Sequence, residues 1–417
     1  MSNLVNYVYT ALPDGEYIRV LTLKPAQKGS HLAGSIQIVD LSSRVVNTAY
    51  TAISYVWGSD ARAAKIEIDG FALNITASAK EVLCRVRSAI APTTVWIDGV
   101  CIDQNNVQER KSQVAFMHKI YAKAMKTFVW LGPESDDSDL AIRYIGNLDW
   151  KQYDQEKKVG QQDGYEQKSF LLDMVPVKDD GRRLSEACSK LLKRAWFMRI
   201  WVQQDVGVSR HVDVACGNLS ASFDQIWSLA WLCTPRERDK GADEFRMQLY
   251  SDVRDMIDHL QAIRTAERTD EHVLDEADIR ALPNGFEEAA RNSAFDTAAA
   301  ILPGRRSFIS LMCFTAWSAG ASDPRDKIYA IRNLSYEYES RDTYIPRPDY
   351  TIAWQDLYIK VTRDHIRYEV KRGRGIQLSL LLHCAGLSNQ DKNIHLPSWM
   401  PDWREPYYTT CFRLFKG

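Results

Sequence analysis

The alternation of apolar and polar positions is clearest between residues 93 and 132, TTVWIDGVCIDQNNVQERKSQVAFMHKIYAKAMKTFVWLG. Val95, Trp96 and Ile97 make a short apolar run that stops at Asp98, and a polar loop follows over 99–106. Val107, Val114, Met117, Tyr121 and Ala124 then recur at spacings of three, four and seven. That is the stripe of one buried helix face, and it predicts a single helix over 107–124. Thr127 to Leu131 is β-branched and aromatic and reads as a second strand, stopped by Gly132-Pro133. A strand–helix–strand unit of this kind predicts a parallel sheet with helices on its faces.

The same reading extends along the chain. Residues 1–47 hold two strand-like runs, 17–23 and 35–41, expected as a β arm on the edge of the main domain. YTAISYVWG, 50–58, predicts a strong strand ending at Trp57-Gly58. KIEIDGFAL, 65–73, alternates around Asp69-Gly70, a hairpin signal. Helices are expected over 78–88, 136–148 and, as one or two pieces, 184–205; 208–216 reads as a last strand. The polar stretch 151–183 reads as an insertion or mobile loop, and 269–286 as a flexible one. From about residue 222 onward the pattern becomes helical with long charged faces, giving expected boundaries at 1–47, 48–217 and 218–417. Helices are expected there over 223–231, 246–265, 307–317, 323–334 and 354–368. The chain stops soon after LPSWMPDW, 396–403, and a longer natural chain is compatible with that.

Composition narrows the class. A chain of 417 residues with 45% hydrophobic and 26% charged positions is an ordinary globular protein of two or three units. A net charge of −1 supplies no field that would recruit nucleic acid or an anionic membrane, so neither partner is expected. The 12 tryptophans and 19 tyrosines are numerous enough to fill cores or to build flat ligand platforms. The eight cysteines include no CxxC and no zinc spacing; the N-terminal stretch is too polar for a signal peptide, and no apolar run approaches membrane-spanning length. The expectation is a cytoplasmic protein with free thiols and no metal.

Candidate chemistry lies where the parallel strands end, since open sheets bind ligands beyond the carboxyl ends of their strands. Trp57-Gly58, Asp98 and Gly132 are such ends. Asp98 and Asp103 could hold ribose hydroxyls, act as acid and base, or cap loop amides. Trp57 is read either as a stacking platform or as core. Arg110 could bind an anion or be solvated. Asn106 and Glu109 fit a helix N-cap and the third helical position of a capping box. Cys101 lacks an orienting histidine and reads as a buried thiol. The chain has neither GxxxxGK[ST] nor a GxGxxG after a strand, which disfavours nucleoside triphosphatases and Rossmann dehydrogenases.

YTAISYVWG, WIDGVCIDQ and RAWFMRIWVQQD, in this order and spacing, resemble the three blocks of the fungal heterokaryon incompatibility (HET) domain. EYIRVLTL, SDPRDKIYAI and LPSWMPDW resemble segments that accompany it. The resemblance implies nonself recognition, in which fusion of incompatible cells triggers programmed cell death. It also implies kinship with the Toll/interleukin-1 receptor (TIR) fold. The expected fold class is therefore α/β: a TIR/flavodoxin-like parallel sheet flanked by helices, with the N-terminal β arm and a mainly helical C-terminal region.

Some TIR domains cleave NAD with a helix glutamate four residues after a tryptophan. Here Trp201 is followed at that spacing by Asp205, one methylene shorter. An arm about an ångström short can cost on the order of a hundredfold in rate. Two functions follow. The first is an NAD or nucleotide glycohydrolase with Asp205, Asp98 and Asp103 catalytic and with Trp57, Gly58, Arg110 and Trp201 binding the substrate. NAD is then a substrate, and no cofactor is expected. The second is a non-enzymatic signalling module that self-associates as a homo-oligomer or binds an incompatibility partner.

Overall fold

The computed structural model describes residues 4–43, 47–147, 180–226, 307–312, 319–339, 343–372, 381, 396–397 and 399–404. The expected loops over 151–183 and 269–286 and the expected helix over 246–265 lie largely or wholly outside these residues. The chain falls into two compact units, Met1–Phe197 with Ser209–Ile257, and Met198–Val208 with Asp258–Gly417.

The first unit is built on a nine-stranded sheet in the order β5-β4-β2-β1-β6-β3-β7-β8-β9. Its strands are β1 (Tyr17–Leu23), β2 (Ala33–Asp40), β3 (Thr51–Tyr55), β4 (Ala64–Ile68), β5 (Phe71–Ile75), β6 (Thr93–Trp96), β7 (Lys126–Trp130), β8 (Val212–Cys216) and β9 (Leu219–Ser222). Its helices are α1 (Ala77–Val86), α2 (Asp98–Cys101), α3 (Val107–Ala115), α4 (Met117–Lys123), α5 (Ser138–Asn147) and α6 (Asp180–Leu192).

β3 pairs in parallel with both β6 and β7, and β7 in parallel with β8. Taken in chain order, these four strands lie second-first-third-fourth, the order of flavodoxin-type doubly wound sheets. The chain therefore reverses its direction of growth between β3 and β7, and a crevice is expected at their carboxyl ends. The β4–β5 hairpin turns at Asp69 and Gly70, both with positive φ (51° and 87°), as the Asp-Gly signal predicts.

Three expectations change. The arm over 1–47 is not an edge feature, because β1 lies between β2 and β6 and pairs antiparallel with both. Its run Ile18, Arg19, Val20 and Leu21 is buried throughout, the signature of a strand covered on both faces. The single helix over 107–124 is two helices, broken at Phe116 (φ −123°, ψ 19°). There Gln113 is buried and its side-chain amide donates to the Tyr17 carbonyl at 2.8 Å, which anchors the end of α3 to β1. The last strand is followed by one more, β9, whose LSAS sequence carries almost no apolar signal.

In the second unit the named elements among the described residues are helices, joined by irregular segments such as 343–353, with an isolated bridge between Arg199 and Gly320. α8 (Trp354–Arg372) packs into a core that includes Phe308, Ile328, Tyr329, Leu357, Tyr358 and Trp403, joined by Ile200 from the turn before α7 (Val202–Gly207). No helix among the described residues is long and apolar enough to cross a membrane.

Candidate functional site

At the carboxyl end of β3 the chain passes through Val56 to Trp57, which is half-buried, and Gly58, which is exposed. Trp57 is held at two points. Its indole N–H donates to Asp98 Oδ2 at 2.9 Å, and its carbonyl accepts from the hydroxyl of Ser78 in the first turn of α1. Gly58 has φ +67°, a conformation that glycine adopts without strain. A Cβ at Gly58 would meet only Ser78 Oγ, at 4.0 Å, so the space beside Trp57 is open.

Asp98 caps the end of β6 and begins the single turn α2. Its Oδ1 accepts from the Gly99 amide at 2.6 Å, and its carbonyl accepts from Gln104 Nε2 at 2.8 Å. Gly99 could not carry a side chain, because a Cβ there would lie 2.7 Å from the Tyr55 hydroxyl. The last residues of β3, the turn after β6 and the start of α1 thus converge on one edge, with Trp57 and Asp98 as a bonded pair.

The loop carrying Asp98 is stapled from below. Arg19, buried in β1, forms a two-pronged ion pair with Glu109 at 2.5 and 3.0 Å. It also donates to the carbonyls of Cys101 (3.2 Å) and Thr10 (2.5 Å). Tyr9 lies over the guanidinium at 4.9 Å and donates its hydroxyl to the Val100 carbonyl at 2.9 Å. Glu109 also accepts from the Asp103 amide at 2.7 Å.

Asn106 caps α3 as predicted, accepting from the amides of Gln108 and Glu109. Glu109 does not close the capping box, because its carboxylate is committed to Arg19 and Asp103. No local pattern signals this pair, whose members stand 90 residues apart. Asp103 Oδ1 accepts from the Asn105 amide at 3.1 Å, a local loop cap. Arg110 is half-buried in the first turn of α3, and its side chain forms no hydrogen bond or ion pair with the described residues. Cys101 is fully buried, and burial pushes its thiol up to about 12, so it holds its proton at neutral pH. No group of histidine, cysteine and carboxylate side chains among the described residues could hold a metal ion.

Trp201 and Asp205 belong to the second unit. Trp201 donates its indole N–H to Asp326 Oδ2 at 3.1 Å, and Asp326 Oδ1 accepts from the Tyr350 hydroxyl at 2.7 Å. Burial pushes the Asp326 carboxyl up to about 6, against the pull of those two hydrogen bonds. Every residue of α7 is buried, and Asp205 is only 3% exposed. The structure therefore brings Trp57, Gly58 and Asp98 together, with Asp103 and Arg110 on the adjoining loop and helix. Trp201 and Asp205 make a second group.

The sequence model of the heterokaryon incompatibility protein (HET) family matches residues 50–205. Over that segment the chain is similar to the HET domain. The matched segment begins at Tyr50, beside β3, and spans β6, the stapled loop and β7. It ends at Asp205, inside α7, so the last residues of the HET match belong to the second unit. The chain is also similar to heterokaryon incompatibility protein 6, OR allele, of Neurospora crassa, at 26% identity over 96% of this chain. It spans 60% of the length of that relative. No solved structure matches.

Proposed function

We propose that this protein acts in fungal nonself recognition, and that its first unit binds NAD or a related nucleotide at the carboxyl edge of the sheet as the step that triggers cell death. The observation carrying this reading is the bonded Trp57–Asp98 pair, half-open to solvent beside the strand-order reversal between β3 and β7. Trp57, fixed at its indole and its carbonyl, offers a ring face on which a base can stack. Asp98 places a carboxylate where ribose hydroxyls or a developing oxocarbenium centre would find it. Arg110 has a guanidinium to spend on phosphate. Kinship with TIR domains, supported by the second-first-third-fourth strand order, belongs to this same reading.

A second reading has its own support. Asp205, at the spacing of the TIR glutamate, is sealed among the buried residues of α7 and presents no open face to a substrate. On that reading the protein is a cytoplasmic signalling module that self-associates or binds an incompatibility partner, without turnover.

The experiment is to incubate the full chain with NAD and follow both binding heat and nicotinamide release. The variants are Asp98→Asn, Trp57→Ala, Asp205→Ala and Asp205→Glu. Release that is lost in Asp98→Asn and kept in Asp205→Ala supports turnover at the sheet edge. Binding without release in any form leaves a nucleotide-gated signalling module. No binding and no release sinks the nucleotide reading and leaves the interaction module.

A further inference from the structure

We infer that Trp130 and Tyr55 form the selective end of this edge site, with the Trp130 indole N–H reading a carbonyl acceptor on a flat ring of the ligand. The inference rests on the nucleotide reading above and names the part of the nucleotide that is recognised. Tyr55 is the last residue of β3 and Trp130 the last of β7, and the two are direct partners in the parallel register. Paired residues of adjacent strands lie on the same face of a sheet. Two aromatic rings thus stand side by side where the strand order reverses, Trp130 two residues before Gly132 and Tyr55 two residues before Trp57. The Tyr55 hydroxyl lies under Gly99, directly after Asp98.

The indoles of the chain differ in how their N–H groups are used. Trp57 donates to Asp98, Trp196 to Ser54 and Trp201 to Asp326. Trp130 donates to no acceptor among the described residues, although it is only 7% exposed. A buried donor without an acceptor is costly, and a ligand acceptor is one way to satisfy it. Trp96 and Trp403 are also unpaired, but both are fully enclosed in core. Trp96 pairs with Ala52, three residues before Tyr55, which places it on the opposite face of the sheet. It packs there against Tyr121 at 5.6 Å. Among the described residues only Trp130 combines an unspent N–H with a position at the strand-order reversal. A donor beside a second aromatic ring, at a sheet edge that also carries the Asp98 carboxylate, suits a flat heterocycle bearing a carbonyl oxygen, as the carboxamide-bearing ring of NAD does.

The test is nuclear magnetic resonance of the full chain labelled with ¹⁵N at tryptophan. One probe is a carbocyclic NAD analogue, whose ring–sugar bond does not hydrolyse; the other is ADP-ribose, which lacks the ring. The Trp130 indole resonance, assigned by its loss in Trp130→Phe, is expected to shift with the analogue and not with ADP-ribose. The Trp96 resonance stays in place with both. Trp130→Phe is expected to bind the analogue about tenfold more weakly, about 1.4 kcal/mol, and to bind ADP-ribose as before. If the variant does not fold, assignment by sequential experiments on the wild-type chain keeps the shift measurement decisive. Movement of the Trp57 resonance without Trp130 overturns this inference and leaves the nucleotide reading standing. No shift and no binding heat with either probe overturns both.

Discussion

Two tryptophan–aspartate pairs, Trp57–Asp98 and Trp201–Asp326, look alike as hydrogen bonds, at 2.9 and 3.1 Å. Their surroundings give them opposite uses. Asp326 takes a second donor from Tyr350 and is pushed towards neutrality by burial, and the segment bearing Trp201 is enclosed. That pair fastens a core. Trp57 and Asp98 are half-open, and their rigidity is imported from Ser78 above and from the Arg19–Glu109 pair below. Geometry alone would rank the pairs together. Solvent access and the origin of the rigidity separate a fastening from a site.

The contrast can be broken most forcefully at the staple. Arg19→Met leaves Glu109 buried without its cation and is expected to cost about 3–5 kcal/mol in urea unfolding. Replacing both residues by apolar ones should recover most of that loss. A cost below about 1 kcal/mol for the single variant would mean that the Asp98 loop is not held in this way.

Next comes the direct comparison. Asp326→Leu strands the Trp201 and Tyr350 donors and should cost about 3 kcal/mol. Asp98→Leu leaves the Trp57 donor open to water and the Gly99 amide without its acceptor, and should cost about 1–2 kcal/mol, while weakening the NAD analogue more than any stability change explains. The reverse ranking would exchange the two assignments.

The pH dependence of the second unit sharpens the picture further. Glu337 accepts from the Phe308 amide with both oxygens and is raised to about 7 by burial, with Glu369 adding to the rise. A carboxyl raised in this way contributes stability that is whole at acid pH and lost as pH climbs through its folded value. Asp326, raised to about 6, acts in the same direction over a lower window. His365, whose ring nitrogen meets the Tyr344 hydroxyl at 2.8 Å, is lowered by burial to about 4. Its contribution is whole above about 6.5 and lost as pH falls towards 4. From pH 8 to 6.5 the carboxyls therefore dominate and Tm should rise on acidification; below about 6.5 His365 opposes them and slows the rise. Glu337→Gln should remove most of the rise; a wild-type Tm that falls over this interval contradicts the assignment. The smallest effect is at the loop itself, where Asn106→Ala should cost about 1 kcal/mol through the lost cap of α3, read by urea unfolding.

Much of the first unit was legible because local signals and final structure agree there. β3, β6, β7 and β8 sit under apolar runs, the Asp69-Gly70 turn follows its chemistry, and Asn106 caps the predicted helix. What could not be read depends on partners far along the chain. β1 is central because it pairs with β6 more than 70 residues later, which no pattern within 17–23 records. The capping-box reading of Glu109 failed because Arg19 competes for its carboxylate. At the site, strand ends pointed to Trp57 and Asp98. Spacing alone could not show that Asp205 would be enclosed, since motif distance along a helix carries no information about what covers the helix.

The excursion of Met198–Val208 into the second unit has a consequence for how the protein is made. Trp201 finds its acceptor, Asp326, 125 residues later. At translation rates of about 5–20 residues per second, the apolar turn around Trp201 waits roughly 6–25 s for its partner to be synthesised. β8 and β9 emerge during that interval and can complete the sheet of the first unit on the ribosome. The nascent chain then carries a finished sheet interrupted by a sticky, unburied turn, a natural client for a holding chaperone. Birth order, rather than final stability, sets how long this turn waits uncovered.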